Sequence, residues 1–153
     1  MTATNHVITG SLFISATVSH VPLWLSLPIA FLLHFVLDAL PHFGQPDDDS
    51  AALRRLKWFL PLDALLGASV LLTILFVQPV HWLAILAGGV LCASPDLWSA
   101  TRFLRFLRTG NPARNTDWFA QFHHRIQWGE RLWGIWIELA WALGFGYVLL
   151  VRL

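Results

Sequence analysis

The sequence predicts an all-α fold: a polytopic membrane helix bundle of about five transmembrane helices plus short interfacial helices, built as one domain over residues 1–153. Three observations predict it. Hydrophobic residues make up 56% of the chain and charged residues 12%, with a mean hydropathy of +0.60. The apolar residues fall in runs near the ~20 residues that a helix needs to cross a hydrocarbon core. Proline, glycine and charged residues, where helices stop, separate those runs. A net charge of +1 leaves no footprint for nucleic acid, and the nine Trp residues read as interfacial belt and packing residues. Cys92 is the sole cysteine, which excludes an intrachain disulfide framework.

The first helix runs from about Asn5 to Ser19. No basic residue precedes it, so despite the small residues of Ala16-Thr17-Val18-Ser19 it reads as a retained helix rather than a signal peptide. A turn at His20-Val21-Pro22 leads into the second helix, which runs to Leu40 and is ended by Pro41. Gly44 to Ser50 is a polar loop containing Asp47, Asp48 and Asp49, read as solvated. The third helix spans about Phe59 to Val77, and Gln78-Pro79 turns the chain. The fourth runs from about Val80 to Ala93, where Ser94-Pro95-Asp96 interrupts it and starts an amphipathic stretch to Leu107. Asn111-Pro112 opens a loop, Asp117 to Trp128 forms a short helix, and Leu132 to Val151 is the fifth span.

Basic residues in the connections orient the bundle. Arg54, Arg55 and Lys57 lie between the second and third helices, and Arg102, Arg105, Arg108, Arg114, Arg125 and Arg131 between the fourth and fifth, against Arg152 alone on the other side. Both connections are expected in the cytoplasm, with the N-terminus inside and the C-terminus outside. The row of Arg102, Arg105 and Arg108 suits an interfacial helix on anionic headgroups.

In that topology His6, His34, Asp38, His42, Asp63, Asp96, His123 and His124 gather at the cytoplasmic end, whereas His20 and His81 fall at the opposite turns. Ionisable groups are costly in lipid and need a partner or a function. His34 and Asp38 are four residues apart, so an imidazole and a carboxylate share one helix face within reach of one ion, and His42 extends the row. Imidazole and carboxylate are nitrogen and oxygen donors for a divalent metal, zinc first with manganese or iron as alternatives. Three protein ligands plus water make a catalytic site.

Each residue also has a simpler reading. Asp63 follows Pro61 and Asp96 follows Pro95, so each can stabilise the N-terminus of a helix through its dipole. His34 and Asp38 can form a structural pair, and His6 can be a surface residue. His123 and His124 point ~100° apart on a helix, so one of them faces any given site. Glu138, inside the fifth helix, fits a proton acceptor, a ligand or a structural hydrogen-bonding residue.

Asn5-His6, Leu33-His34-Phe35-Val36-Leu37-Asp38-Ala39-Leu40-Pro41-His42, Ser94-Pro95-Asp96 and Phe122-His123-His124-Arg125-Ile126-Gln127 resemble the YdjM-like group of bacterial inner-membrane predicted metal-dependent hydrolases. The resemblance extends over most of the chain through short motifs. It carries over to His6, to Asp96 as the Pro-Asp at a helix end, and to His34 with Asp38 as a His-x-x-x-Asp. Asp96 is followed by Leu97-Trp98-Ser99 rather than by a further Asp-His, which marks a distant or rearranged relative. A looser similarity is to zinc-dependent phospholipases C, whose histidines and aspartates build a multinuclear site on helices.

The expectation is a multi-pass inner-membrane hydrolase that uses a divalent metal against a phosphoester or lipid at the cytoplasmic face, with Asp38 and Asp96 as catalytic carboxylates. Arg105 or Arg108 would hold an anionic headgroup. A metal-ion carrier or sensor, or a structural membrane protein with interhelical polar contacts, would use the same residues. Nothing in the composition selects an oligomeric state.

Overall fold

The structure is a computed structural model that describes residues 1–44, 57–110 and 117–153. The loop with Asp47 to Asp49, the basic residues Arg54, Arg55 and Arg114, and the Asn111-Pro112 turn lie outside the described residues. The fold is all-helical: α1 (Ala3–Thr17), α2 (Leu23–Asp38), α3 (Phe59–Val77), α4 (Trp82–Thr109), α5 (Trp118–Ile126) and α6 (Ile135–Arg152), with single-turn 3-10 helices at Gln127–Gly129 and Leu132–Gly134.

Among the described residues, two helical segments, Phe59–Val77 and Leu132–Arg152, are long and apolar enough to cross a membrane. A third is reached only if Trp82–Trp98 and Phe103–Thr109, which meet at 41°, count as one span. The five-span expectation is thus met in helix content but not in helix length. With 15 and 16 residues, α1 and α2 fall short of the ~20 that a spanning helix needs.

The interior position of α1 explains its composition. It packs against α2, α3, α4 and α6, most extensively against α4, and buries Asn5, His6, Thr9 and Ser11 along with Val7, Ile8 and Ile14. A helix that other helices surround needs no apolar outer face, so it carries polar residues that a lipid-facing helix could not. Glycine allows the tight approach: a side chain on Gly10 would overlap the Gly88 carbonyl and Cys92, and one on Gly88 would overlap Ile14. Small residues at a crossing let two backbones touch and increase dispersion contact.

The two ends of α1 differ in character. Toward its C-terminus Ile14 packs with Ala30, Ile74 and Ile85 in an apolar core. At its N-terminus three carboxylates close on the chain. Asp63 of α3 accepts from the Ala3 and Thr4 amides at 2.7 and 3.1 Å, and Glu138 of α6 accepts from the Thr2 amide at 3.1 Å and the Thr2 hydroxyl at 2.8 Å. Asp38 lies against the Met1 nitrogen. Amides at the start of a helix have no partner within it and favour negative charge, so carboxylates from neighbouring helices anchor this end.

Two local differences from the sequence reading have physical causes. Ser94-Pro95-Asp96 does not interrupt α4, which continues through Pro95 to Thr109. Pro95 cannot donate to the Leu91 carbonyl, and the Ser94 hydroxyl donates to that carbonyl instead, at 2.8 Å. The chain after α2 is not merely a loop: β1 (His42–Phe43) pairs in parallel with β2 (Glu130–Arg131), His42 opposite Glu130. Gly134 admits this contact, since a side chain there would overlap the His42 carbonyl.

Candidate metal centre

Five of the eight expected ligand residues meet at the N-terminal end of α1: His6 from α1, His34 and Asp38 from α2, Asp96 from α4 and His123 from α5. His34 and Asp38 share the last turns of α2 as their spacing implies, with Nε2 and Oδ2 3.2 Å apart. His123 arrives from the short helix that follows the loop, and its Nε2 lies 2.8 Å from Asp38 Oδ2. The continuity of α4 through Pro95 points Asp96 at the same place, its Oδ1 3.8 Å from His34 Nε2.

The donor atoms of His34, Asp38, Asp96 and His123 all lie within 4.8 Å of one another, a group that could hold a metal ion. The chemistry of the donors fits a cation. His34 Nδ1 lies 2.9 Å from the Cys92 carbonyl, which can only accept. The ring therefore donates from Nδ1 and, when neutral, turns the Nε2 lone pair into the group. A backbone carbonyl holding the far nitrogen is the usual support of a metal-bound imidazole. His34 Nε2 and His123 Nε2 stand 2.8 Å apart, a spacing filled either by a hydrogen on His123 Nε2 or by a cation that both nitrogens ligate. Neighbouring ligand atoms of a tetrahedral ion with bonds of about 2.0–2.1 Å lie about 3.3 Å apart; His34, Asp38 and His123 stand slightly closer than that, at 2.8–3.2 Å, and Asp96 farther out, at 3.8 Å from His34.

Asp38 is the hub, fully buried. Its Oδ1 meets His6 Nε2 at 3.0 Å, and its Oδ2 meets His34, His123 and the Gln127 side-chain amide, the last at 3.2 Å. Asp96 is the one member of the group with appreciable solvent access, its side chain 28% exposed. The residues flanking it in α4, Ser94, Pro95, Leu97 and Trp98, line with Phe31, Thr101 and Phe119 an apolar hollow of about 350 Å³.

Three expected ligands lie outside this group. His42 is buried in β1, donating from Nδ1 to the Leu40 carbonyl at 2.7 Å, with Nε2 3.8 Å from Glu130. Asp63 is occupied by the amides of α1; it caps a helix N-terminus, but a neighbour's rather than its own. His124 is exposed, because adjacent residues on a helix diverge by ~100° and His123 takes the inward direction. Glu138 is buried and holds Thr2 and Asn5. Gln127 was not among the expected site residues. Its position one helical turn after His123 is the signal that places it on the same face.

No protein-family model, curated protein or solved structure matches the chain.

Proposed function

We propose that the chain is a multi-pass inner-membrane hydrolase that uses a divalent metal, zinc in the first instance, against the phosphoester of a lipid. The observation that carries the reading is a buried His/Asp donor group whose partly exposed member, Asp96, lies in α4 between Pro95 and Leu97, two residues that line an apolar hollow. The resemblance to YdjM-like predicted hydrolases supports the same activity. Exposed apolar side chains along α3 and α6, among them Leu65, Phe76, Trp136 and Leu143, support a lipid surround. The charge asymmetry of the connections supports a cytoplasmic N-terminus.

A divalent cation in such a site supplies Lewis acidity toward a phosphoryl oxygen and brings the acidity of water near neutrality. The residues divide the remaining work. Asp38, engaged at both oxygens, orients the imidazoles of His6, His34 and His123. Asp96, at the open edge, would accept a hydrogen bond from the attacking water and orient it. Phe31, Trp98 and Phe119 offer an apolar wall for an acyl chain. Nitrogen and oxygen donors in a group of four favour zinc. An ion carrier would need donors continuing toward the far end of α1, but that end is packed with Ile14, Ala30, Ile74 and Ile85.

The test is release of product from phospholipids and model phosphoesters by zinc-loaded protein in detergent. Asp96→Asn is expected to lower kcat about 10²–10⁴-fold, with no recovery at high substrate. A loaded wild-type protein that hydrolyses no phosphoester would remove the proposal.

A further inference from the structure

The two carboxylates of the site face two ways. Asp38 turns Oδ2 toward His34 and His123, at 3.2 and 2.8 Å, and Oδ1 toward His6, at 3.0 Å. Asp96 repeats the division, with Oδ1 3.8 Å from His34 and Oδ2 3.9 Å from His6. Each aspartate thus offers one oxygen to the His34 side and one to the His6 side. The His6 and His34 rings are stacked with centroids 4.0 Å apart and planes 27° from parallel, and both turn Nε2 toward Asp38, at 3.0 and 3.2 Å.

We propose that the site holds two divalent ions, with Asp38 and Asp96 each bridging the pair. The first ion takes Nε2 of His34 and His123, Oδ2 of Asp38 and Oδ1 of Asp96. The second takes Nε2 of His6, Oδ1 of Asp38 and Oδ2 of Asp96. The Met1 nitrogen already lies against Asp38 Oδ1, so the second ion shares or displaces an existing contact. Two ions ligated by imidazoles stacked at 4.0 Å would lie about as far apart as those of two-metal hydrolases, roughly 3.5–4 Å. Such a pair clamps the attacking and leaving oxygens of an in-line displacement. His6, reached through α1, becomes the residue that decides between one ion and two. Asp63 and Glu138 position it by holding Thr2, Ala3 and Thr4 in place.

The inference rests on the metal-binding reading of the site, and its test is independent of activity. Protein in detergent is stripped with a chelator and titrated with Mn²⁺. Bound metal is counted by elemental analysis, and the loaded protein is examined by electron paramagnetic resonance. The expected result is two ions per chain with the spectrum of an exchange-coupled pair, falling to one uncoupled ion in His6→Gln. If His6→Gln does not fold, the count and spectrum of the wild-type protein decide. One uncoupled ion in wild type, or two without coupling, overturns the bridged pair whether or not the protein hydrolyses a phosphoester. A coupled pair with no hydrolysis supports the pair and refutes the hydrolase. Protein that binds no ion overturns both.

Discussion

His123 and His124 are neighbours with opposite surroundings, and replacing each by alanine separates a ligand from a bystander. His123 is 2% exposed with Nε2 inside the donor group, whereas His124 faces outward. Structural zinc sites bind with an apparent ~10–16 kcal/mol shared by four ligands. One donor then carries about 2.5–4 kcal/mol, or about 10²–10³-fold in affinity at ~1.4 kcal/mol per decade. His123→Ala should weaken zinc binding by that factor, and His124→Ala should leave it within about twofold, well under 1 kcal/mol. The substitution should not unfold the bundle, because α5 also rests on α2 through Phe119 and Phe122 against Phe35, at ring-centroid distances of 6.2 and 5.5 Å. Competition against a chromophoric chelator in detergent reads the affinity, with far-ultraviolet dichroism as the fold control. Equal affinities for the two variants, or a larger loss in His124→Ala, would refute the ligand assignment.

Glu138→Gln exchanges charge-assisted for neutral hydrogen bonds from Thr2 and Asn5 to the side-chain oxygens, a loss of about 2 kcal/mol. That predicts a melting temperature about 4–8 °C lower with bound metal retained; metal loss at an unchanged melting temperature would make Glu138 a ligand instead. Gly88→Leu places a side chain against Ile14 and should separate α1 from α4, lowering stability by about 1–3 kcal/mol or more and weakening metal binding. Gly144→Ala, which meets nothing within 4 Å, should do neither. Reporter fusions after Ser50 and Asn111 should behave as cytoplasmic and one after Leu153 as external; a cytoplasmic C-terminus would refute the charge-based orientation.

Helix content and most helix positions were legible in the sequence because hydrophobic runs and prolines are local signals. The His34/Asp38 pair was legible for the same reason: four residues on a helix fix a shared face whatever surrounds it. Spacing alone could not show where α4 ends. Proline predicts a break, but Ser94 supplies the missing donor to Leu91 and the helix carries Asp96 onward into the site.

The choice among the remaining ionisable residues belonged to tertiary structure. Asp63, Asp96 and Glu138 look alike in sequence, each a lone carboxylate in or beside an apolar run. Packing makes Asp63 and Glu138 anchors for the start of α1 and Asp96 a member of the donor group. His6 is distant from every other site residue in sequence, and it reaches Asp38 only because Gly10 and Gly88 let α1 settle into the middle of the bundle. A carboxylate's role depends on which donors face it. Side chains tens of residues apart become neighbours only through helix packing, which no local spacing encodes.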